Sequence, residues 1–297
     1  MSETTTRAKA GVPRERGVPA FMNRGGIWRF VAFLAVYLVL YLASGKVIAL
    51  LFPDAARADP LSSAASAFVQ LGFPVVFGGV LLFAVASWLG WTAELFGRQP
   101  VARSRWMWLG PVVALSPIVL RVLGIEWSSH PLSVIVTVMG IGLCIGFTEE
   151  LLFRGFAVKM VRDGGHGELV VAAVAAVTFS LSHSVNAFNG QPLLTVGVTV
   201  LYTLGFGVLM YLTLRVTGFL LWAMLLHGLT DPTTALASGG IDIVTSAGSD
   251  NALLSLGGYL TLPLAFTGII ALFFVRGRAG TAQERAGSAT EAREVTT

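Results

Sequence analysis

The sequence predicts an all-α, polytopic membrane protein with about eight transmembrane helices and both termini in the cytoplasm. Three observations lead there. Of 297 residues, 55% are hydrophobic and only 12% are charged, against about 25% charged in soluble domains. Apolar stretches of bilayer-crossing length recur along most of the chain. Lys and Arg fall almost wholly in alternate connections, as orientation in a bilayer requires. The 34 glycines agree, because Gly is common in membrane helices. The net charge of +4 belongs to short connections and tails, so no nucleic-acid partner is expected. Cys144 is the one cysteine; an intrachain disulfide is excluded, and it reads as a small buried hydrophobe. An Arg-rich, Lys-poor chain with abundant Ala, Gly and Val suggests a GC-rich bacterial genome. The expected location is therefore a bacterial plasma membrane.

Residues 1–27 are polar and contain Pro13 and Pro19; they read as a disordered cytoplasmic tail. The first apolar run starts near Trp28, too far in for an ordinary cleaved signal peptide, and reads as a retained helix. A membrane domain is expected over 28–276. Its apolar stretches run roughly 28–52, 71–91, 107–124, 132–157, 168–187, 193–213, 217–236 and 253–275. The third is the weakest, because Pro111 and Pro117 interrupt it. Lys46 is expected to snorkel from the first span to an interface. Trp88, Trp91, Trp106 and Trp108 read as interfacial belts. His130 and His166 read as solvated loop residues, as do Asp242 and Asp250 in the Gly- and Ser-rich segment 237–252. Residues 277–297 read as a second disordered tail.

With the N-terminus inside, the inner segments hold Arg7, Lys9, Arg14, Arg16, Arg24, Arg29, Arg98, Arg103 and Arg105. They also hold Arg154, Lys159, Arg162, Arg215, Arg276, Arg278, Arg285 and Arg293. Arg57 and Arg121 fall outside. An even number of spans follows.

Ionisable residues within spans cost ~3 kcal/mol or more each near mid-bilayer and are functional candidates. The fourth span carries Glu149, Glu150 and Arg154; the fifth carries His183; the seventh carries His227 and Asp231. Glu150 and Arg154 stand four apart, as do His227 and Asp231, so each pair shares a helix face. His183 has only Phe179 one turn before it, so its polar partner is expected from another helix. The loop between spans four and five centres near His166, with Glu149 17 residues before it and His183 17 residues after it. At 1.5 Å per residue both lie about 25 Å from that tip, at one depth. The tip carries Arg162, Asp163, His166 and Glu168 and is expected to project into the cytosol.

A carboxylate, two imidazoles and a second carboxylate around a cavity suit hydrolysis. A buried Glu can take a proton from water. A His can share that proton or pass it to a leaving amine, and another can donate to an oxyanion. The same set, Glu149, His183, His227 and Asp231, could instead hold a divalent metal such as zinc with a water in its open position. No cofactor is required by the first route.

The motifs Glu149-Glu150-x-x-x-Arg154, Phe179-x-x-x-His183 and His227-x-x-x-Asp231 resemble those of the CPBP intramembrane proteases. These are also called type II CAAX prenyl endopeptidases or the Abi family. The resemblance covers about 130–235, which it marks as the catalytic core, with an eight-helix layout around it. It implies a membrane-embedded endopeptidase acting on a peptide or protein that is membrane-anchored or lipid-modified. By that resemblance Glu149 is the water-activating base, assisted by His183. His227 and Asp231 bind the oxyanion or hold the site, and Glu150 and Arg154 support it. The family more often has Asn where this chain has Asp231. An ionised Asp cannot donate to an oxyanion, so Asp231 must be protonated, orient His227 or ligate a metal. Pro232 next to it is expected to end or kink the helix. His-Glu-x-x-His, Gly-x-Gly-Asp and Gly-x-Ser-Gly are all missing, which leaves out other intramembrane protease designs. A non-catalytic binding or immunity protein of the same fold is the alternative. A proton-coupled transporter is a weaker one, since no inverted repeat is detectable.

Overall fold

The computed structural model describes residues 17–101, 103–238 and 249–279. Every regular element among them is helical. Among the described residues seven segments are long and apolar enough to cross a membrane. They are α1 (Ile27–Leu51), α2 (Ala64–Trp88), α3 (Arg105–Gly124), α4 (Leu132–Asp163), α5 (Glu168–Phe188), α6 (Leu193–Thr217) and, after the polar α7 (Leu220–Ser238), α8 (Ala252–Leu272). The eighth expected span, α7, is present as a helix. His227, Asp231 and three threonines make it too polar to count as apolar by composition.

α4 is the axis of the fold. Its 32 residues give about 48 Å, well over a ~30 Å hydrocarbon core. α4 packs most extensively on α7, and also on α2; α5 packs on α6, and α6 on α8. The main core fills the terminal-side half of the molecule. Phe156, Met160, Val161, Leu209, Leu212 and Leu220 there are all almost fully buried.

Several expectations change. The N-terminal tail gives way before residue 27: Val18–Asn23 is helical and Met22 is buried. Gly26 N–H donates to Met160 O at 2.5 Å, which ties this segment to α4. Arg121, assigned to an outer connection, is 3% exposed. It lies on the inward face of α3, against Gly257. Pro117 does not interrupt α3, and Ser116 Oγ donates 2.8 Å to Val113 O, the carbonyl that Pro117 has no N–H to meet. α7 likewise continues through Pro232. The α4–α5 tip is not simply solvated, because Arg162 makes a buried two-pronged pair with Glu168 at 2.8 Å on each arm. Residues 1–16, Asp242 and residues 280–297 lie outside the described residues.

Candidate active site

The site forms where α4 crosses α7. Gly142, Gly146 and Gly228 let the two backbones touch: a Cβ on Gly146 would overlap Met224 O and the Gly228 backbone. Small residues four apart permit such an approach between membrane helices. This contact sets Glu149 and Glu150 against His227. Directly afterwards α4 widens into a π-helical stretch over Leu151–Ala157, a distortion common at functional sites.

Arg154 and Glu150 pair despite the widened turn, with Nη1 donating to Oε1 at 2.8 Å. Arg154 Nη2 donates to Gly207 O at 2.9 Å, and the guanidinium lies 4.6 Å from the Phe179 ring centre. The same Glu150 Oε1 lies 2.7 Å from His227 Nδ1. A carboxylate that already accepts from Arg154 makes Nδ1 the donor, so Nε2 points the other way. There it meets Glu149 Oε2 at 3.6 Å and Asp231 Oδ2 at 3.5 Å. One imidazole thus sits among three carboxylates, with one buried guanidinium offsetting them.

Glu150 and Arg154 are 0% and 1% exposed. They stand behind the cavity and are not among its walls. Glu149 and Asp231 keep side-chain exposures of 28% and 18%. Together with His183 and His227 they line a cavity of about 540 Å³.

His183 differs from expectation. Its Nδ1 is 3.0 Å from Phe179 O on its own helix, because α5 tightens to 3-10 geometry from His183 onward. A carbonyl only accepts, so Nδ1 carries the proton and Nε2 is the basic nitrogen. Phe179 is the residue whose importance the sequence understated. Its ring meets His183 edge-on at 4.9 Å, His227 at 5.7 Å and Phe153 at 5.2 Å. Tyr37, Tyr41, Asn186 and Tyr202 also line the cavity. Only the i,i+4 tyrosine pair and the turn from His183 to Asn186 hint at them in the sequence.

The four residues considered as metal ligands do not make a ligand set. Among the described residues no group of three or more His, Cys, Asp or Glu side chains is placed to hold an ion.

All six site residues fall within 131–233, and that segment matches the family model described as type II CAAX prenyl endopeptidase Rce1-like. Residues 131–233 are therefore similar to an Rce1-like domain. No curated protein and no solved structure matches the chain. The matched segment spans α4 to most of α7, so α1, α2, α3 and α8 surround it from outside the match. Two of them complete its cavity: α1 supplies Tyr37 and Tyr41, and α2 supplies Gln70 and Val75.

Proposed function

We propose that the chain is a membrane endopeptidase that hydrolyses a peptide bond held in the 540 Å³ cavity. The convergence of Glu149, His183, His227 and Asp231 on that cavity, with Glu150 and Arg154 fixing His227 from behind, carries the reading. Glu149 takes a proton from water as the oxygen attacks the carbonyl carbon. His183 Nε2, held by the Phe179 contact, accepts a hydrogen bond from the same water. His227 presents Nε2–H to the oxyanion, with Asp231 Oδ2 3.5 Å from that nitrogen. The C–N bond then breaks, and the proton on Glu149 passes to the leaving amine. One water is consumed, and a carboxylic acid and an amine are formed. Asp231, unable to donate when ionised, orients His227 in this scheme. No step passes through a metal.

The test is a quenched library of membrane-proximal and lipid-modified peptides with protein in detergent. Wild type should cleave, Glu149→Ala and His183→Ala should not, and a chelator should leave the rate unchanged. Absence of cleavage across the library by a folded wild type would favour a binding or immunity protein instead.

A further inference from the structure

We infer that the catalytic cavity takes its substrate from the non-cytosolic side of the membrane. The substrate class is a peptide whose scissile bond lies in or just outside the outer leaflet, next to an apolar segment. This deepens the proposed peptidase reading and rests on it for the word substrate; the direction of opening rests on geometry alone.

The cavity runs one way. From the catalytic groups its walls continue along the second half of α1, from Tyr37 to Ala49, and the first half of α2, from Val69 to Val75. They continue also along the end of α5, from Ser182 to Asn186, and reach Ala56 in the connection after α1. These are the helix halves farthest from both termini. Toward the termini the way is closed by packing: Phe156, Met160, Leu209 and Leu220 are at most 1% exposed. A second cavity of about 470 Å³ does open on that side, lined by Arg98, Lys159 and Arg162, and it touches the buried Arg154. Glu149, His183, His227 and Asp231 are not among its walls, so it is no route to them.

Charge assigns the sides. Of the 20 Lys and Arg, 16 lie in the tails, connections and helix ends on the terminal side, leaving aside Arg154, which is buried behind the site. The opposite side holds only Arg57 in a connection and Lys46 at the cavity mouth, since Arg121 is buried in α3. The basic side faces the cytosol, so the cavity faces away from it. The segments beside the mouth are apolar and exposed: Phe52 53%, Phe68 44%, Phe188 88% and Leu194 81%. Such a rim belongs in the outer leaflet and suits an apolar flank on the substrate. A cytosolic prenylated tail would meet the closed side.

The experiment is single-cysteine labelling in intact cells expressing the full chain with Cys144→Ser. Lys46→Cys and Asn186→Cys report the mouth, Arg57→Cys the outer connection and Arg98→Cys the terminal side. A membrane-impermeant maleimide should label the first three in intact cells and Arg98→Cys only after permeabilisation. Labelling of Arg98→Cys in intact cells would overturn the inference, as would mouth cysteines that react only after permeabilisation or not at all. Two mouth positions guard against one variant failing to fold. Labelling needs no turnover, so it should be unchanged in Glu149→Ala. If the mouth is outside yet no peptide is cut, the peptidase reading fails and the direction of opening stands.

Discussion

His227 is held at both nitrogens, and the two contacts do different jobs. Glu150 fixes the ring from behind at 2.7 Å, while Glu149 and Asp231 face Nε2 inside the cavity. Removing Glu150 alone strands Arg154 as a buried charge, which costs about 3–5 kcal/mol. Glu150→Gln should therefore lower the melting temperature markedly as well as the rate. The double variant Glu150→Gln with Arg154→Met should regain much of the stability. Its activity should stay low, because His227 has lost its charged acceptor. Thermal unfolding and kcat measured on the same preparations separate these effects. The six residues were legible in the sequence because charge inside a span is so costly that few positions carry it. Their ranking was not: i,i+4 spacing pairs Glu150 with Arg154 but does not say which carboxylate faces the cavity. Nor does it reveal that a backbone carbonyl one turn back meets His183, because that depends on where α5 tightens.

The α4–α7 crossing determines whether these groups meet at all. A methyl on Gly146 has no room against Met224 O and the Gly228 backbone. Gly146→Ala should cost about 1–3 kcal/mol of overpacking and separate Glu149 from His227. A loss of kcat out of proportion to the loss of stability, read by kinetics and thermal unfolding together, is the expected outcome. Equal, small losses would mean that the crossing tolerates the shift. The existence of the helices followed from hydropathy, which is a property of each stretch by itself. The π-helical stretch after Glu150 and the passage of α3 through Pro117 were hidden, because both depend on what a neighbour supplies. Ser116 covers the carbonyl that Pro117 leaves open.

Across the molecule a larger packed half lies on the terminal side, while the opposite half holds a smaller core around Val134, Val138 and Ala235 beside the open cavity. The packed half is locked by Glu168, which accepts from Arg162, from Arg215 Nη1 at 3.1 Å and from the Tyr211 hydroxyl. Glu168→Gln weakens the hold on two buried guanidiniums at once. It should lower the melting temperature in detergent by more than any exposed substitution while leaving kcat at low temperature nearly unchanged, since neither it nor its partners line the 540 Å³ cavity. The positive-inside count anticipated this polarity of charge but not the burial of Arg162 and Glu168, which a solvated tip would not need. The account turns on Glu149 as the base that activates water. With any peptide the wild type cleaves, kcat and substrate Kd measured for Glu149→Gln test that most directly. The account predicts a Kd within a few-fold of wild type and a kcat lowered by about 10²–10⁴. A variant that keeps kcat within ten-fold of wild type would contradict it.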